Sequence, residues 1–133
     1  MDTEVIYDSP DAILWYHPES KIIHHKIFSN SLNKEFIPFI KLASKTLAEK
    51  GATKWLSEDQ SLLMLEKASS DFSNISWPKK TIDDGWKYWA IVQPKNIISQ
   101  INMERIVKHF NALGVTAKFF SEVDKATQWL ESL

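Results

Sequence analysis

Three glycines in 133 residues constrain this chain more than any other feature, because each falls at the same kind of place. Average usage of about 7% would supply roughly nine, so glycine-rich phosphate loops, collagen-like repeats and flexible linkers are excluded together. Gly51, Gly85 and Gly114 each stand between a stretch of helical periodicity and a stretch of β-branched and aromatic residues. That is the position just past a helix end, where a left-handed backbone is wanted and a residue without Cβ adopts it freely. The segments that follow echo one another: Gly51-x-x-Lys54-Trp55, Gly85-x-x-Tyr88-Trp89, and Gly114 ahead of Lys118-Phe119. A βα unit therefore repeats at intervals of 34 and 29 residues. Right-handed crossovers make the strands of such units parallel.

The N-terminal part reads differently. Glu4–Tyr7, Ile13–His17 and Ile22–Phe28 are rich in β-branched and aromatic residues, separated by Ser9-Pro10-Asp11 and Pro18-Glu19-Ser20. Those punctuators predict a three-stranded antiparallel meander. Leu32, Phe36, Phe39, Ile40, Ala43 and Leu47 then recur at helical spacing, with Pro38 expected to kink or distort the first turn. Thr53–Leu56 predicts a short strand, while 57–67 fits helix and strand equally. Ser70-Asp71 reads as the start of a helix with Phe72, Ile75 and Ile82 inward, and Pro78 threatens its continuity.

Trp86–Val92 is the clearest strand, apolar on both faces (Trp86, Tyr88, Ala90 and Val92 against Trp89 and Ile91), as in a parallel sheet covered on both sides. Asn102 is expected to cap the next helix, Val115–Phe120 to form the last strand, and Ser121 with Asp124 to open a terminal helix in a weak capping box. No interior linker divides the chain, so one domain over residues 1–133 is expected. The predicted class is α/β: an antiparallel β-meander continuing into a β-α superhelix, with a mixed sheet and flanking helices.

Charge and composition narrow the function. Sixteen Lys plus Arg balance seventeen Asp plus Glu, interspersed throughout, with Arg105 the single arginine. The basic stripe of a nucleic-acid binder is missing, so no nucleic-acid partner is expected. No apolar run approaches the ~20 residues of a membrane span, and Met1–Tyr7 lacks the basic start of a signal peptide. With no Cys, disulfide scaffolds, thiolate zinc sites and cysteine nucleophiles are excluded. A cytoplasmic domain without a cofactor is the expectation.

Four histidines raise the question of a metal site. If the Pro18-Glu19-Ser20 turn pairs His17 with Lys21, His17 and His25 share a face about 13 Å apart, with His24 on the other. That separation forbids a common metal ion, whose ligands sit ~2 Å from it. His109 lies near a helix C-terminus, where a partly charged imidazole is favourable, and all four histidines are expected to be structural. No Gly-x-Ser-x-Gly elbow is present and no serine has an evident His and acid partner.

Ligands of open parallel sheets bind beyond the carboxyl ends of the strands. Those ends gather Ser29, Asp59, Lys95 and Asn96, and beside them Ser57 and Ser61 as candidate phosphorylation sites, although capping and solvated loops explain the same residues. Of the six Trp, Trp77 precedes a proline and Trp129 lies beside the inward stripe of its helix. One or both are expected at the surface, marking a partner interface or a ligand cleft.

A pattern over nearly the whole chain completes the reading. It runs through Tyr16-His17-Pro18-Glu19, Lys54-Trp55-Leu56-Ser57-Glu58-Asp59, Trp77-Pro78, Asp84-Gly85-Trp86-Lys87-Tyr88-Trp89-Ala90-Ile91-Val92-x-Pro94, Asn102-Met103, Phe119-Phe120 and Ala126-x-x-Trp129-Leu130. It resembles the SpoIIAA-like proteins of the STAS superfamily, in particular short stand-alone bacterial domains of no assigned activity. The resemblance implies the same mixed sheet and a non-enzymatic interaction or regulatory role. Related anti-sigma factor antagonists bind a kinase and are phosphorylated on a serine after a parallel strand, the region of Ser57 to Ser61 here. Their Asp-Ser-Ser/Thr-Gly signature is absent from this sequence. Other relatives resemble lipid-exchange domains, which use an extra helical gate that this chain lacks; they imply a small apolar or amphipathic ligand as the alternative to a protein partner.

Overall fold

The computed structural model describes residues 3–28, 36–59, 77–92 and 97–133. Its strands are β1 (Glu4–Asp8), β2 (Ala12–His17), β3 (Ile22–Ile27), β4 (Lys54–Asp59), β5 (Tyr88–Val92) and β6 (Thr116–Phe120). The helices are α1 (Phe36–Lys50), α2 (Trp77–Asp83), α3 (Ile97–Leu113) and α4 (Val123–Glu131). The strands form one mixed sheet in sequential order β1-β2-β3-β4-β5-β6. The β1–β2 and β2–β3 pairs are antiparallel and the rest parallel. The meander and the βα repeat are therefore both present.

The three glycines end α1, α2 and α3 in one and the same way. At Gly51 φ is +64°, its N–H donates to Ala48, and the N–H of Ala52 reaches back to the carbonyl of Leu47 at 3.0 Å. This double closure satisfies the orphan carbonyls of the last turn and turns the chain into the next strand. Gly85 and Gly114 repeat both bonds, through Trp86 to Thr81 and Val115 to Phe110.

Two apolar layers hold the sheet. On one face Phe39, Ile40, Ala43 and Leu47 of α1, Ile82 of α2 and Phe110 of α3 pack on Leu14, Ile23, Trp55, Trp89 and Ile91. Trp86 joins this layer, against the expected alternation, because it precedes β5 and its N–H closes α2. On the other face Ala126 and Leu130 of α4 pack on Ile22, Leu56 and Ala90. Burying a Leu or Ile in such a layer is worth roughly 1.5–3 kcal/mol.

Local differences from the sequence reading have local causes. Pro38 and Pro78 both stand in the first turn of their helices, where no intrahelical N–H bond is lost. Asn102 lies inside α3, which begins at Ile97, so it is no cap. The N-cap of α4 is Glu122, with no side-chain cap bond, so the Ser121 capping box does not form. The expected helix start at Ser70-Asp71, with Phe72 and Ile75, lies outside the described residues. No described helix is long and apolar enough to cross a membrane.

Candidate functional site

The turn between β2 and β3 decides which histidines meet. The N–H of Lys21 bonds to the carbonyl of His17 at 2.8 Å, and Lys21 takes φ +56°, an unusual conformation for a residue with a side chain. The loop therefore holds four residues, and His17 pairs with Ile22 instead of with Lys21. Side chains alternate between faces at every residue, so a shift of one residue moves the whole strand's pattern to the opposite face. The expected pairing of His17 with Lys21, which put His17 and His25 on one face, is thereby corrected: His24 shares the face of His17.

His25 instead enters the main core, 3% exposed. Its Nδ1 accepts the indole N–H of Trp55 at 2.9 Å, and the rings of Trp55 and Phe39 meet it edge-on. It is a packed core histidine.

On the opposite face a polar chain runs from Thr3, just before β1, across β2, β3 and β4. Thr3 Oγ1 lies 3.1 Å from His17 Nδ1, His17 Nε2 lies 3.0 Å from His24 Nδ1, and His24 Nε2 lies 2.5 Å from Glu58 Oε2. The side chains of His24 and Glu58 are 13% and 15% exposed, and Trp15 lies against the His24 ring at 4.5 Å between centroids. Burial opposes the ionised form of Glu58, but the His24 hydrogen bond and the charges of His24, Lys26 and His25 outweigh it, and its pKa is lowered. His17 is also held below its ordinary value, first by burial and then by the charge of His24, against the opposing pull of Glu131.

The ionised Glu58 fixes the direction of this chain, since a carboxylate can only accept. His24 must donate from Nε2. With both rings neutral, His24 Nδ1 accepts from His17 Nε2–H, and His17 Nδ1 accepts from the Thr3 hydroxyl.

The relay borders a cleft of about 630 Å³ at the amino ends of β3 and β4. Pro18 and Leu133 give its lining an apolar part over the buried Ile22 and Leu56, and His17, His24, Lys54 and Glu131 stand in its walls. Lys54 ties the end of the chain down through a 3.0 Å bond to the main-chain oxygen of Leu133. The volume is that of an ordinary small-molecule site. Among the described residues no group of three or more His, Cys, Asp or Glu is arranged to hold a metal ion.

The residues singled out from sequence do not gather here. Ser57 lies within β4, which runs to Asp59 instead of stopping at Leu56. It is fully buried on the α1 side, with its Oγ accepting the indole N–H of Trp89 at 2.7 Å. It is no accessible phosphorylation site or partner surface. Asp59 is the last residue of β4 and Trp77 the first of α2. Ser29, Ser61, Lys95 and Asn96 fall outside the described residues. Trp129 is half-buried against Tyr88 and Phe120 at the edge of the second apolar layer, with the ammonium of Lys118 5.8 Å from its ring centre. The Thr3–His17–His24–Glu58 chain was missed because no local motif announces it; it exists only in the observed register.

Comparison with protein-family models, with curated proteins and with solved structures finds no match to this chain.

Proposed function

We propose that the chain is a STAS-like, SpoIIAA-like cytoplasmic binding module that performs no covalent chemistry, and that the cleft at the amino ends of β3 and β4 holds a small amphipathic molecule. One observation carries this reading: a cleft of about 630 Å³ whose lining joins the apolar side chains of Pro18 and Leu133 to hydrogen-bonding walls. That combination buries an apolar body and orients a polar end. The strand order, a meander feeding parallel βα units, supports the STAS-like part. This cleft lies at the opposite strand ends from the expected one; the carboxyl ends of β3, β4 and β5 lead into residues outside the described set.

Native mass spectrometry of protein purified from its own cells tests the reading. A retained small mass, lost when Ser20→Trp fills the cleft from its rim, is the expected result. No retained mass, together with no thermal stabilisation by any member of an amphipathic small-molecule library, overturns it.

A second reading, a protein-interaction surface, is favoured by the other half of the same face. Val5 is 59% exposed opposite Trp15, and no described helix packs over β1 and β2 there. A retained polypeptide whose binding Val5→Glu abolishes would support it over the first.

A further inference from the structure

We propose that the Thr3–His17–His24–Glu58 relay is a one-proton switch in the cleft wall: taking up a proton turns the Thr3 hydroxyl from a donor to His17 into a donor toward the cleft. The proposal rests on the cleft being a ligand site and names the regulation of that site.

The argument is a count of donors and acceptors. In the neutral relay every hydrogen bond points from Thr3 toward Glu58, so the Thr3 hydrogen is spent on His17 Nδ1 and only its lone pairs remain for a ligand. One added proton leaves two arrangements. It rests on His24, which then donates from Nδ1 to His17 Nε2, while His17 takes its other tautomer and carries its proton on Nδ1. Otherwise it rests on His17 itself, at Nδ1. In both, His17 Nδ1–H donates to Thr3 Oγ1 and the hydroxyl hydrogen is released. The first places the positive charge against Glu58, at the 2.5 Å contact, and is favoured by simple Coulomb attraction. A second proton would set two N–H groups against each other across the 3.0 Å gap between His17 Nε2 and His24 Nδ1, so the relay takes one.

Charged groups from every neighbouring element enter the balance. Glu131 on α4 pulls a proton toward His17. Glu19 in the β2–β3 turn and Lys54 on β4 share the cleft, and Lys54 is engaged with Leu133. Lys26 on β3 and His25 from the opposite face act on Glu58. The consequence for a ligand is a change of preference. The unprotonated cleft suits a polar end that donates, such as an ammonium; the protonated cleft, more positive by one charge and offering the Thr3 hydrogen, suits a carboxylate.

Imidazole ¹⁵N spectra of the full chain, followed from about pH 8 to about pH 5 across the ordinary imidazole range, test the switch without any ligand. Both rings should carry their proton on Nε2 at high pH. They should then move together with one midpoint, His17 gaining its proton on Nδ1. Glu58→Gln should lower that midpoint by about one to two pH units, the effect of removing a contact charge. His24→Asn should leave His17 titrating alone, without the step the two rings share. Propionate should raise the midpoint and propylammonium lower it.

A His17 already protonated on Nδ1 at high pH, or two midpoints indifferent to His24→Asn, overturns the switch. A midpoint indifferent to both ions overturns the change of preference. Failure of the ligand-retention experiment would leave the ring titration intact, so the two readings fail separately.

Discussion

Replacing Ser57 with Asp, the usual mimic of a phosphoserine, should unfold this domain instead of switching it. Ser57 is 0% exposed, pairs with His25 on β3 and Ile91 on β5, and accepts from Trp89 Nε1 at 2.7 Å. A carboxylate placed there loses its hydration, and a fully buried carboxyl raises its pKa by about 3–5 units. At 1.36 kcal/mol per unit that costs about 4–7 kcal/mol above the folded pKa and about 4 kcal/mol near pH 7, against a total of about 5–15 for a domain of ordinary stability. Pairing with His25 offers no escape, because His25 is itself 3% exposed and burying two charges is seldom repaid.

Urea denaturation followed by tryptophan fluorescence reads this directly. The expected result is a loss of about 4 kcal/mol or more near pH 7 that shrinks as the pH falls. The sign follows from the raised pKa: the penalty is complete above the folded value and vanishes below the unfolded one. Ser57→Asn, uncharged and of the same size, should cost less and show no such pH dependence. If Ser57→Asp lies within about 1 kcal/mol of the parent near pH 7, or its penalty is flat with pH, the placement of Ser57 in a dry layer is wrong.

Gly51→Ala should cost about 1–2 kcal/mol, the price of a left-handed residue with a side chain, since an added Cβ would meet nothing within 4 Å; a urea midpoint equal to the parent's would refute it, and Gly51→Asn should lose less. Leu130→Ala, at a fully buried site of the second layer, should cost about 2–5 kcal/mol by the same measurement, while Val5→Ala at 59% exposure should stay within about 0.5. Acid should weaken the fold in two stages. His17, whose pKa is depressed from an ordinary 6.5, costs stability as the pH falls below that value, because the unfolded chain takes up a proton there that the folded His17 resists; Glu58, depressed from an ordinary 4.5, removes more as the pH falls below that second value. A urea midpoint that stays level or rises from about pH 7 to about pH 5 would contradict the first stage.

What could be read from sequence was whatever a few neighbouring residues decide by themselves. The helix ends at Gly51, Gly85 and Gly114 were legible because one residue type dominates that backbone position, and the strands because β-branched and aromatic residues cluster there. The relay was not legible, because its existence depends on whether three or four residues lie in the turn after His17. That choice rests on Lys21 accepting a left-handed φ, which no propensity announces. Ser57 was misplaced for a related reason. The polar run Ser57-Glu58-Asp59 looks like the end of a strand, yet each residue has a partner in register, and Trp89 supplies the donor that lets a hydroxyl be buried. Trp86 went to the wrong face because alternation holds only inside a strand, and it stands just before one.

The position of the cleft follows from the width of the sheet. Six strands at about 4.8 Å spacing put roughly 24 Å between the outer two, while a helix is about 10 Å across. The single described helix on this face, α4, therefore leaves part of the sheet uncovered: it lies over β4, β5 and β6, and its layer is built on Ile22, Leu56, Ala90 and their neighbours. Beyond its edge the face needs side chains that tolerate half-burial, and β2 and β3 supply Trp15, His17 and His24. A half-buried imidazole must still satisfy two nitrogens, so the boundary groups bond one another, ending on Glu58 at one side and Thr3 at the other. A relay of this kind would close the edge of the layer whether or not a ligand ever entered the cleft. What separates a seal from a switch is its two ends. A seal needs only filled hydrogen bonds, which either direction provides; a switch needs a carboxylate that fixes the direction at one end and a hydroxyl able to reverse at the other. Glu58 and Thr3 meet those two conditions, and exchanging Glu58 for Gln removes the first while leaving the seal in place.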